Sequence, residues 1–451
     1  MEKQKLRSEL FNQSAITFAT SIGIRIIRLI KNAIISRILG PSNRGIFGLL
    51  TIVPDFLASF GTLGYGQAIL YYVAKKHYDV KKVMGGIIIF TTFISIIMIS
   101  IGAISINLNL LSNDINLIIK KYQGVILMMV PFFLLQRFGI SFLIALGMIF
   151  QMNLVELLGS FIALVLFLII WIFWSQIAIK AAVWSWCLGI IIIACLPFFL
   201  IRKKGVYPPI LGFDYIKKAF KYGISGHFTN FFQQLLCRID FIFISNMLGA
   251  EALGYYAIAT SLSEMILNLP VSVGVPLVPM IFGMDNKSSD KFTPGVIKVV
   301  IFFVTISSII LIMAGKIFIK IIFGPEYLPA YSAMVCLQPG MLALGLFPII
   351  KADLFGRNLP GKVSIFTSIA LIINLFMNYF TIPIWGISGA AISSSVSYFL
   401  SIGMMYILYC KKSNNPVLRT LILTKEDMNK LFDVLKSKIF RYYRKKFYLF
   451  F

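Results

Sequence analysis

Residues 150–174 read FQMNLVELLGSFIALVLFLIIWIFW, and residues 178–201 read AIKAAVWSWCLGIIIIACLPFFLI. Each stretch exceeds the roughly 20 residues with which an α-helix crosses the hydrocarbon core of a bilayer. The short connection between them predicts two successive membrane-spanning helices. Similar stretches recur along the chain and give twelve candidate spans, at about residues 15–40, 45–73, 84–107, 122–146, 150–174, 178–201, 219–248, 252–282, 296–323, 330–355, 362–384 and 386–410.

The composition of the whole chain agrees with these spans. Of the 451 residues, 59% are hydrophobic and 13% are charged, against roughly a quarter charged in an average soluble domain. The mean hydropathy is +0.88. A soluble fold of this length could not bury so much apolar surface. The composition excludes a disordered chain, a coiled coil and an ordinary soluble enzyme, and it predicts an all-α, polytopic membrane protein.

The net charge of +25 has two interpretations. In a soluble protein it would indicate binding to nucleic acid, whereas in a membrane protein Lys and Arg collect in the cytoplasmic loops. The basic loops fall mostly on one side of the predicted spans, so we expect both termini in the cytoplasm and no nucleic-acid partner. The segment 411–451 holds eleven Lys/Arg and three Asp/Glu. It would form a basic amphipathic helix on anionic lipids, or else a solubilising tail.

Sequence motifs for catalysis or cofactor binding are missing from the chain. The five cysteines have no metal-site or disulfide spacing, and His77 and His227 are the only histidines. We find no Walker A motif, no HExxH motif and no nucleophile elbow. We therefore expect no metal, no cofactor, no enzymatic activity and no ATP-driven transport by this chain alone.

A shift of 209 residues aligns the two halves of the chain. It pairs Leu39-Gly40 with Leu248-Gly249, Gly45 with Gly254, Thr51 with Thr260, Asp55 with Glu264, Ser59 with Asn268, Gly147 with Gly356 and Ser185 with Ser394. This duplication predicts two six-helix bundles, 1–201 and 219–410, joined by a cytoplasmic linker, 202–218. Because six is even, the halves would share one orientation and be related by a pseudo-twofold axis. Such repeats place the substrate between them and alternate its access, although a channel or a membrane-embedded enzyme remains an alternative.

A polar stripe runs along the first predicted span. At about 100° per residue, the side chains that fall within roughly 80° of one another are Ser21, Arg25, Arg28, Asn32 and Ser36. The seventh span repeats the pattern with His227, Asn230, Gln234, Arg238 and Ser245. Because a cation in hydrocarbon is costly, we expect Arg25, Arg28 and Arg238 to line a hydrated cavity. Snorkelling to a membrane face is the alternative, and it suits Arg37 better.

Carboxylates also occur inside the predicted spans. Asp55 and Glu264 match across the two halves, Asp240 follows Arg238, and Glu156 lies in the fifth span. These acids would either neutralise the arginines or bind H⁺ or Na⁺ and couple transport to an ion gradient. Lys351 and Asp353 are weaker candidates for functional charges inside the membrane, because they lie near the predicted cytoplasmic end of their span. Asn374 and Asn378 share a helix face and would contact a sugar or hold helices together.

The cations and amides together predict an anion site. Arginines bind phosphate and pyrophosphate through charge-assisted, often bidentate hydrogen bonds. A cavity shared by the two halves would therefore suit a phosphate or a pyrophosphate, and its predicted members are Arg25, Arg28, Arg137, Arg238, Asn32, Asn230 and Gln234.

Several short segments, in this order, resemble a known family. They are ILGPSNRGIFG at 38–48, TLGYGQA at 62–68, RID at 238–240, LGYYA at 253–257, FGPEY at 323–327 and GISGAA at 386–391. Over about residues 8–410 the chain resembles lipid-linked oligosaccharide flippases of the multidrug/oligosaccharidyl-lipid/polysaccharide exporter superfamily. The resemblance implies that an undecaprenyl-pyrophosphate-linked repeat unit is translocated across the inner membrane for O-antigen, capsule or a related polymer. It also implies a cationic cavity at Arg25, Arg28 and Arg238. Either an ion gradient or mass action from a downstream polymerase would supply the direction of transport.

Two other functions stay open at this stage. A cation-coupled multidrug exporter of the same superfamily would need a cavity lined by acids, which the arginine stripe disfavours. A membrane-embedded glycosyltransferase or polymerase would normally carry a large extracytoplasmic loop with catalytic residues, which this sequence lacks. The sign of the charge in the central cavity distinguishes the flippase from the drug exporter.

Overall fold

The computed structural model describes residues 2–74, 78–108, 113–173, 178–202, 207–271, 274, 277, 281, 286–417 and 420–421. The secondary structure in these ranges is helical and includes no strand, which confirms the all-α prediction. The helices with defined bounds are α1 (Glu2–Gly61), α2 (Tyr65–Ala74), α3 (Val80–Asn107), α4 (Asn113–Met128), α5 (Val130–Ala145), α6 (Ile149–Phe173), α7 (Ala178–Ile201), α8 (Phe213–Leu236), α9 (Ile239–Met247), α10 (Gly249–Met265), α11 (Asn286–Ile322), α12 (Ala330–Leu344), α13 (Phe347–Gly356) and α14 (Pro360–Ser413), with a 3₁₀ turn at Pro325–Tyr327.

Two of these helices are divided by a glycine. Gly40 in α1 has φ 68° and ψ 171°, and Gly386 in α14 has φ 57° and ψ −137°. A residue with a Cβ atom is strained at such a positive φ, whereas glycine adopts it readily. Each glycine therefore separates two predicted spans that form one continuous run of helical residues.

The described helices account for most of the predicted spans. Seven are long and apolar enough to cross a membrane, or eight if the bent pair 116–128 and 130–145 forms one span. Of the seven, the helix 360–413 contains two predicted spans, and the helix 23–61 overlaps two others in part. The predicted spans 219–248 and 252–282 are missing from this count because the chain there is divided among shorter or more polar helices. The fold is consistent with twelve spans, and that number stays a prediction.

The outer surface carries large apolar side chains. Phe173 and Met313 are each 80% exposed, and Ile384 is 71% exposed. Soluble proteins bury most side chains of this kind, whereas hydrocarbon solvates them as well as a protein core does. The chain is therefore a multi-pass membrane protein.

The two halves meet at a reciprocal pair of glycines. A Cβ atom on Gly45 would lie 1.8 Å from the carbonyl oxygen of Ala250, and one on Gly254 would lie 2.0 Å from the carbonyl oxygen of Pro41. The 209-residue shift pairs Gly45 with Gly254 and Pro41 with Ala250, so exchanging the halves exchanges the two contacts. Self-complementary contacts of this kind are characteristic of a twofold axis. They support the predicted relation between the halves, whose exact boundaries stay predictions.

A second contact joins the start of α8 to the first half. α8 begins at Phe213, within the predicted linker 202–218. Tyr215 is fully buried, with its ring 5.9 Å from that of Tyr65 and 5.2 Å from that of Tyr78. Aromatic pairs at such centroid distances stabilise packing beyond the area they bury. The first turns of α8 are thus anchored to the first half, while the rest of the helix belongs to the second.

The proposed tail helix lies almost entirely outside the described residues. Within 411–451 the structure describes 411–417 and 420–421, where α14 ends at Ser413. Both interpretations of the tail therefore stay predictions.

Gly45→Ala is expected to destabilise the protein, because the new methyl group would overlap the backbone of α10. Overpacking of this kind typically costs about 1–3 kcal/mol. Thermal unfolding of the purified protein in detergent measures the effect. Gly48→Ala is the matched control, since its Cβ would find Arg44 Nη1 at 3.8 Å as the nearest atom and alanine favours the helix. Equal unfolding temperatures for the two variants would contradict the close contact between the halves.

Candidate functional site

A cavity of about 310 Å³ lies between the two halves. We call it the arginine cavity. Seven of its ten lining residues are polar: Arg25, Arg28 and Asn32 of α1, Glu156 of α6, Ser261 and Glu264 of α10, and Asn268. The three residues from α1 share one face because residues three and four apart are neighbours on a helix. The structure thus brings together part of the predicted stripe, while Ser21 lies outside the residues whose side chains are described.

Arg28 and Glu156 form a loose ion pair in this cavity. Arg28 Nη2 lies 3.6 Å from Glu156 Oε2, and Arg28 Nε donates to Ser160 Oγ at 3.2 Å. The two charged side chains are 52% and 34% exposed. Ion pairs with this much exposure contribute little free energy. Either partner can therefore exchange its present contact for a ligand at small cost.

Arg25 has no carboxylate partner in the described part of the chain. Its Nη2 donates to the backbone oxygen of Asn268 at 3.4 Å, and none of the ion pairs between described residues includes it. A guanidinium has five N–H donors in a planar fork. Arg25 therefore presents a positive charge and several donors to the arginine cavity.

Arg238 is bound in a bidentate ion pair with Glu264. Arg238 Nη2 donates to Glu264 Oε2 at 2.8 Å, and Nη1 donates to Oε1. Parallel bonds between a guanidinium and a carboxylate are among the strongest hydrogen bonds in proteins. Arg238 therefore neutralises Glu264, one of the two acids that line the arginine cavity. The Arg238 side chain is not part of the lining.

Asp55 sits in a polar network that joins the halves. Arg137 Nη2 donates to Asp55 Oδ1 at 2.6 Å, and Gln234 Nε2 donates to Oδ2 at 2.8 Å. Arg137 Nη1 also donates to Ser59 Oγ at 3.3 Å, and the Ser59 hydroxyl donates to Gln234. Arg137 and Gln234 thus both donate hydrogen bonds to the Asp55 carboxylate.

Two hydrogen bonds between the halves join residues at positions that correspond under the 209-residue shift. The shift pairs Gln234 with Arg25 and Ser59 with Asn268. The Ser59–Gln234 bond therefore corresponds to the bond between Arg25 and the backbone of Asn268. The two bonds differ in their atoms and direction, because the Ser59 hydroxyl donates to the Gln234 side chain, whereas the Arg25 guanidinium donates to the backbone oxygen of Asn268.

Asp240 forms the centre of a buried cluster. It is 1% exposed and accepts hydrogen bonds from Tyr256 at 2.7 Å, from Asn378 Nδ2 at 2.8 Å and from the Ser394 hydroxyl. No ion pair among the described residues includes Asp240. The buried atoms Asn378 Oδ1 and Asn374 Nδ2 have no hydrogen-bond partner in the part of the chain that the structure describes. The sequence placed the two asparagines on one face but gave no sign that they meet Asp240.

Asn230, which was predicted to line the anion site with the arginines, instead contacts Lys351. Lys351 Nζ donates to Asn230 Oδ1 at 2.6 Å. The seven residues predicted to form one anion site are thus divided among the arginine cavity, the two arginine–carboxylate pairs and this contact. Within the ranges described above, no group of three or more His, Cys, Asp or Glu side chains could hold a metal ion.

The structure is that of a multi-pass membrane protein with two similar helical halves around a charged cavity. Its fold is shared with solved structures of a flippase and of membrane transporters. A lipid II flippase, MurJ, in an inward closed conformation superposes with a TM-score of 0.70 at 16% identity, over 93% of this chain and 96% of that one. A MATE transporter of Vibrio cholerae, VcmN, superposes with a TM-score of 0.65 at 15% identity, over 92% and 99%.

The chain belongs to the polysaccharide biosynthesis protein family, whose family model matches residues 34–332. An uncharacterised membrane protein of Methanocaldococcus jannaschii is 29% identical over 190 residues, which is 41% of this chain and 38% of that protein. A probable low-salt glycan biosynthesis flippase of Haloferax volcanii, Agl15, is 24% identical over 195 residues, or 41% and 39%. The matched region therefore spans about two fifths of the length of each of these relatives.

Proposed function

We propose that the protein is a flippase for a polyprenyl-pyrophosphate-linked oligosaccharide in the cytoplasmic (inner) membrane, in the assembly of O-antigen, capsule or a related polysaccharide. The observation that carries this proposal is Arg25, a cation without a carboxylate partner, in a polar cavity between two similar halves. Membership of the polysaccharide biosynthesis family and the flippase relative in Haloferax volcanii support it.

The arginine cavity would receive the pyrophosphate head. Arg25 supplies free donors, and Arg28 becomes available when the phosphate displaces Glu156, since that pair is loose and exposed. The sugars would occupy the polar cavity between the halves, and the prenyl chain would stay in lipid. Movement of the halves about the Gly45 and Gly254 contacts would then expose the sugars to the other side of the membrane.

Ion coupling, if transport uses it, is better assigned to Asp240 than to Asp55 or Glu264. Asp55 and Glu264 are each neutralised by an arginine, which favours the structural interpretation of these two acids. Asp240 is buried, and among the described residues it has no ion pair and lies beside an amide oxygen of Asn378 that has no hydrogen-bond partner. A proton or Na⁺ would compensate its charge.

Both termini would lie in the cytoplasm, as the distribution of basic loops indicates. The tail 411–451 would contact anionic lipids. A downstream polymerase that consumes the translocated unit would draw transport forward by mass action.

A cation-coupled multidrug exporter is the second candidate, and one observation favours it. Glu156 lines the arginine cavity and is 34% exposed, so a cationic drug would find a carboxylate there. With two arginines and two glutamates in its lining, the cavity is mixed in charge. Because Glu264 is paired with Arg238, the remaining charges in the lining are those of Arg25, Arg28 and Glu156, and their sum is positive.

Complementation distinguishes the two functions. Expression of the chain is expected to restore surface polysaccharide in at least one of a set of strains that each lack a different oligosaccharide translocator. Drug sensitivity of an exporter-deficient strain is expected to stay unchanged. Restored drug resistance without restored polysaccharide in any strain would overturn the proposal in favour of the exporter.

A further inference from the structure

A second cavity, of about 410 Å³, lies within the second half. We call it the Lys351 cavity. It is formed by α8, α12, α13 and the helical residues after α10, and its lining is largely apolar, with Gln233, Leu267, Gly274, Phe347, Lys351 and Phe355 among its members. Lys351 is the one charged residue among the described residues of this lining. Leu267 precedes Asn268 of the arginine cavity, so the two cavities lie on neighbouring faces of one helical segment.

The first half fills the equivalent place with aromatic rings. The 209-residue shift pairs Gly274 with Tyr65, Phe347 with Phe138 and Lys351 with Phe142. In the first half these three aromatic side chains are fully buried, and the rings of Tyr65 and Phe138 lie 5.3 Å apart. The equivalent place in the second half is a partly open cavity. A duplicated fold that is packed in one half and hollow in the other therefore indicates a site in the hollow half.

The charge of Lys351 is not balanced by a carboxylate. Its Nζ lies 5.4 Å and 5.3 Å from the ring centroids of Phe347 and Phe355 and donates one hydrogen bond, to Asn230. No ion pair between described residues includes Lys351, and Asp353 is bound by Arg357. A cation within an apolar site of a membrane protein is costly without a counter-charge. Anion binding would supply one.

We propose that the Lys351 cavity binds an isoprenyl phosphate, with the phosphate on Lys351 and the first isoprene units against the apolar walls. An ammonium forms charge-assisted hydrogen bonds with phosphate, and Phe347 and Phe355 provide the apolar surface beside it. A volume near the lower end of the 300–1,000 Å³ typical of ligand sites holds part of one chain but not both chains of a phospholipid. The choice of an isoprenoid rests on the proposed function, whereas the cavity and its charge do not.

Farnesyl phosphate binding to the full-length protein in detergent tests this site. Lys351→Met keeps the side-chain length and removes the charge, and it is expected to weaken farnesyl phosphate binding about tenfold or more while leaving the weaker binding of farnesol unchanged. Ala352→Leu is expected to weaken the binding of both ligands, because the larger side chain fills part of the cavity. Lys316→Met is the matched control: Lys316 lies over the Tyr331 ring in the same half but does not line the cavity, so its variant should bind like the wild type.

Two outcomes would decide against parts of the proposal. Equal farnesyl phosphate binding by the wild type and a stably folded Lys351→Met variant would overturn the site. Equally tight competition by lysophosphatidic acid would overturn the isoprenoid as the occupant. The proposed function is tested separately with inorganic pyrophosphate and Arg25→Ala: if that variant binds pyrophosphate normally, the flippase mechanism fails, while the tenfold effect of Lys351→Met in the Arg25→Ala background would still support this site.

Discussion

Arg25→Ala is expected to lower the affinity for inorganic pyrophosphate about tenfold or more and to abolish the assembly of surface polysaccharide. Hydrogen bonds to charged groups contribute about 1.5–3 kcal/mol each, and 1.4 kcal/mol corresponds to a factor of ten. Arg25 presents donors that no carboxylate occupies, so its loss removes attraction for the ligand without freeing a buried acid. Calorimetry on the purified protein and polymer staining in a complemented strain measure the two effects.

Three further variants make the arginine result specific. Ile26→Ala changes the neighbouring residue, which is 52% exposed and does not line the cavity, and it should behave like the wild type. Arg25→Lys should retain part of the affinity, because it keeps the charge but loses the planar fork. Glu156→Gln should tighten pyrophosphate binding and slow turnover, since it releases Arg28 and removes a competing negative charge. Normal polymer levels with Arg25→Ala would contradict the role of the arginine cavity.

The sequence was sufficient to predict which side chains share one face of a helix. The angular spacing of Arg25, Arg28 and Asn32 depends only on helix geometry, and the structure places all three in one cavity. Matching acids at Asp55 and Glu264 were equally visible, because the duplication preserves position along the chain. The all-α membrane fold followed from the length of the apolar runs.

The sequence was not sufficient to predict which side chains of different helices contact one another. The matched acids have partners from unrelated positions: Arg137 of α5 pairs with Asp55, whereas Arg238 pairs with Glu264. The shift by 209 residues places Leu29 opposite Arg238 and Leu346 opposite Arg137, so the duplication itself gives no indication of these pairs. Which side chains meet depends on the packing of distant helices, and a single sequence does not encode that in any local pattern.

For the same reason, the Lys351 cavity could not be predicted from the sequence. In the sequence, Lys351 is one basic residue near a predicted cytoplasmic end, and snorkelling accounts for it. Only the packed structure shows that Gly274 leaves the space which Tyr65 fills in the other half, and that the ammonium lies beside that space. A duplicated fold is thus informative where its halves differ, because equivalent positions provide an internal reference for what packing alone requires.

Asp240→Ala is expected to lower the melting temperature by roughly 5 °C or more. The substitution would leave the donors of Tyr256, Asn378 and Ser394 without an acceptor in a buried site. Each buried donor without a partner costs about 1–3 kcal/mol. Thermal unfolding in detergent measures the change, and Asp214→Asn, at an exposed position in the first turn of α8, is the control that should unfold like the wild type.

Asp240→Asn separates coupling from stability, since it keeps the shape of the side chain and removes its charge. If Asp240 binds the proton or Na⁺ that drives transport, transport by this variant in proteoliposomes should no longer respond to either ion gradient. Asp55→Asn should keep the response, because Asp55 is already neutralised by Arg137. The reverse result, a response lost with Asp55→Asn and kept with Asp240→Asn, would assign coupling to the network between the halves and leave Asp240 a structural acceptor. The two acids differ in that Asp55 forms an ion pair with Arg137, whereas no ion pair within the described part of the chain includes Asp240, and the ion gradient is the probe of that difference.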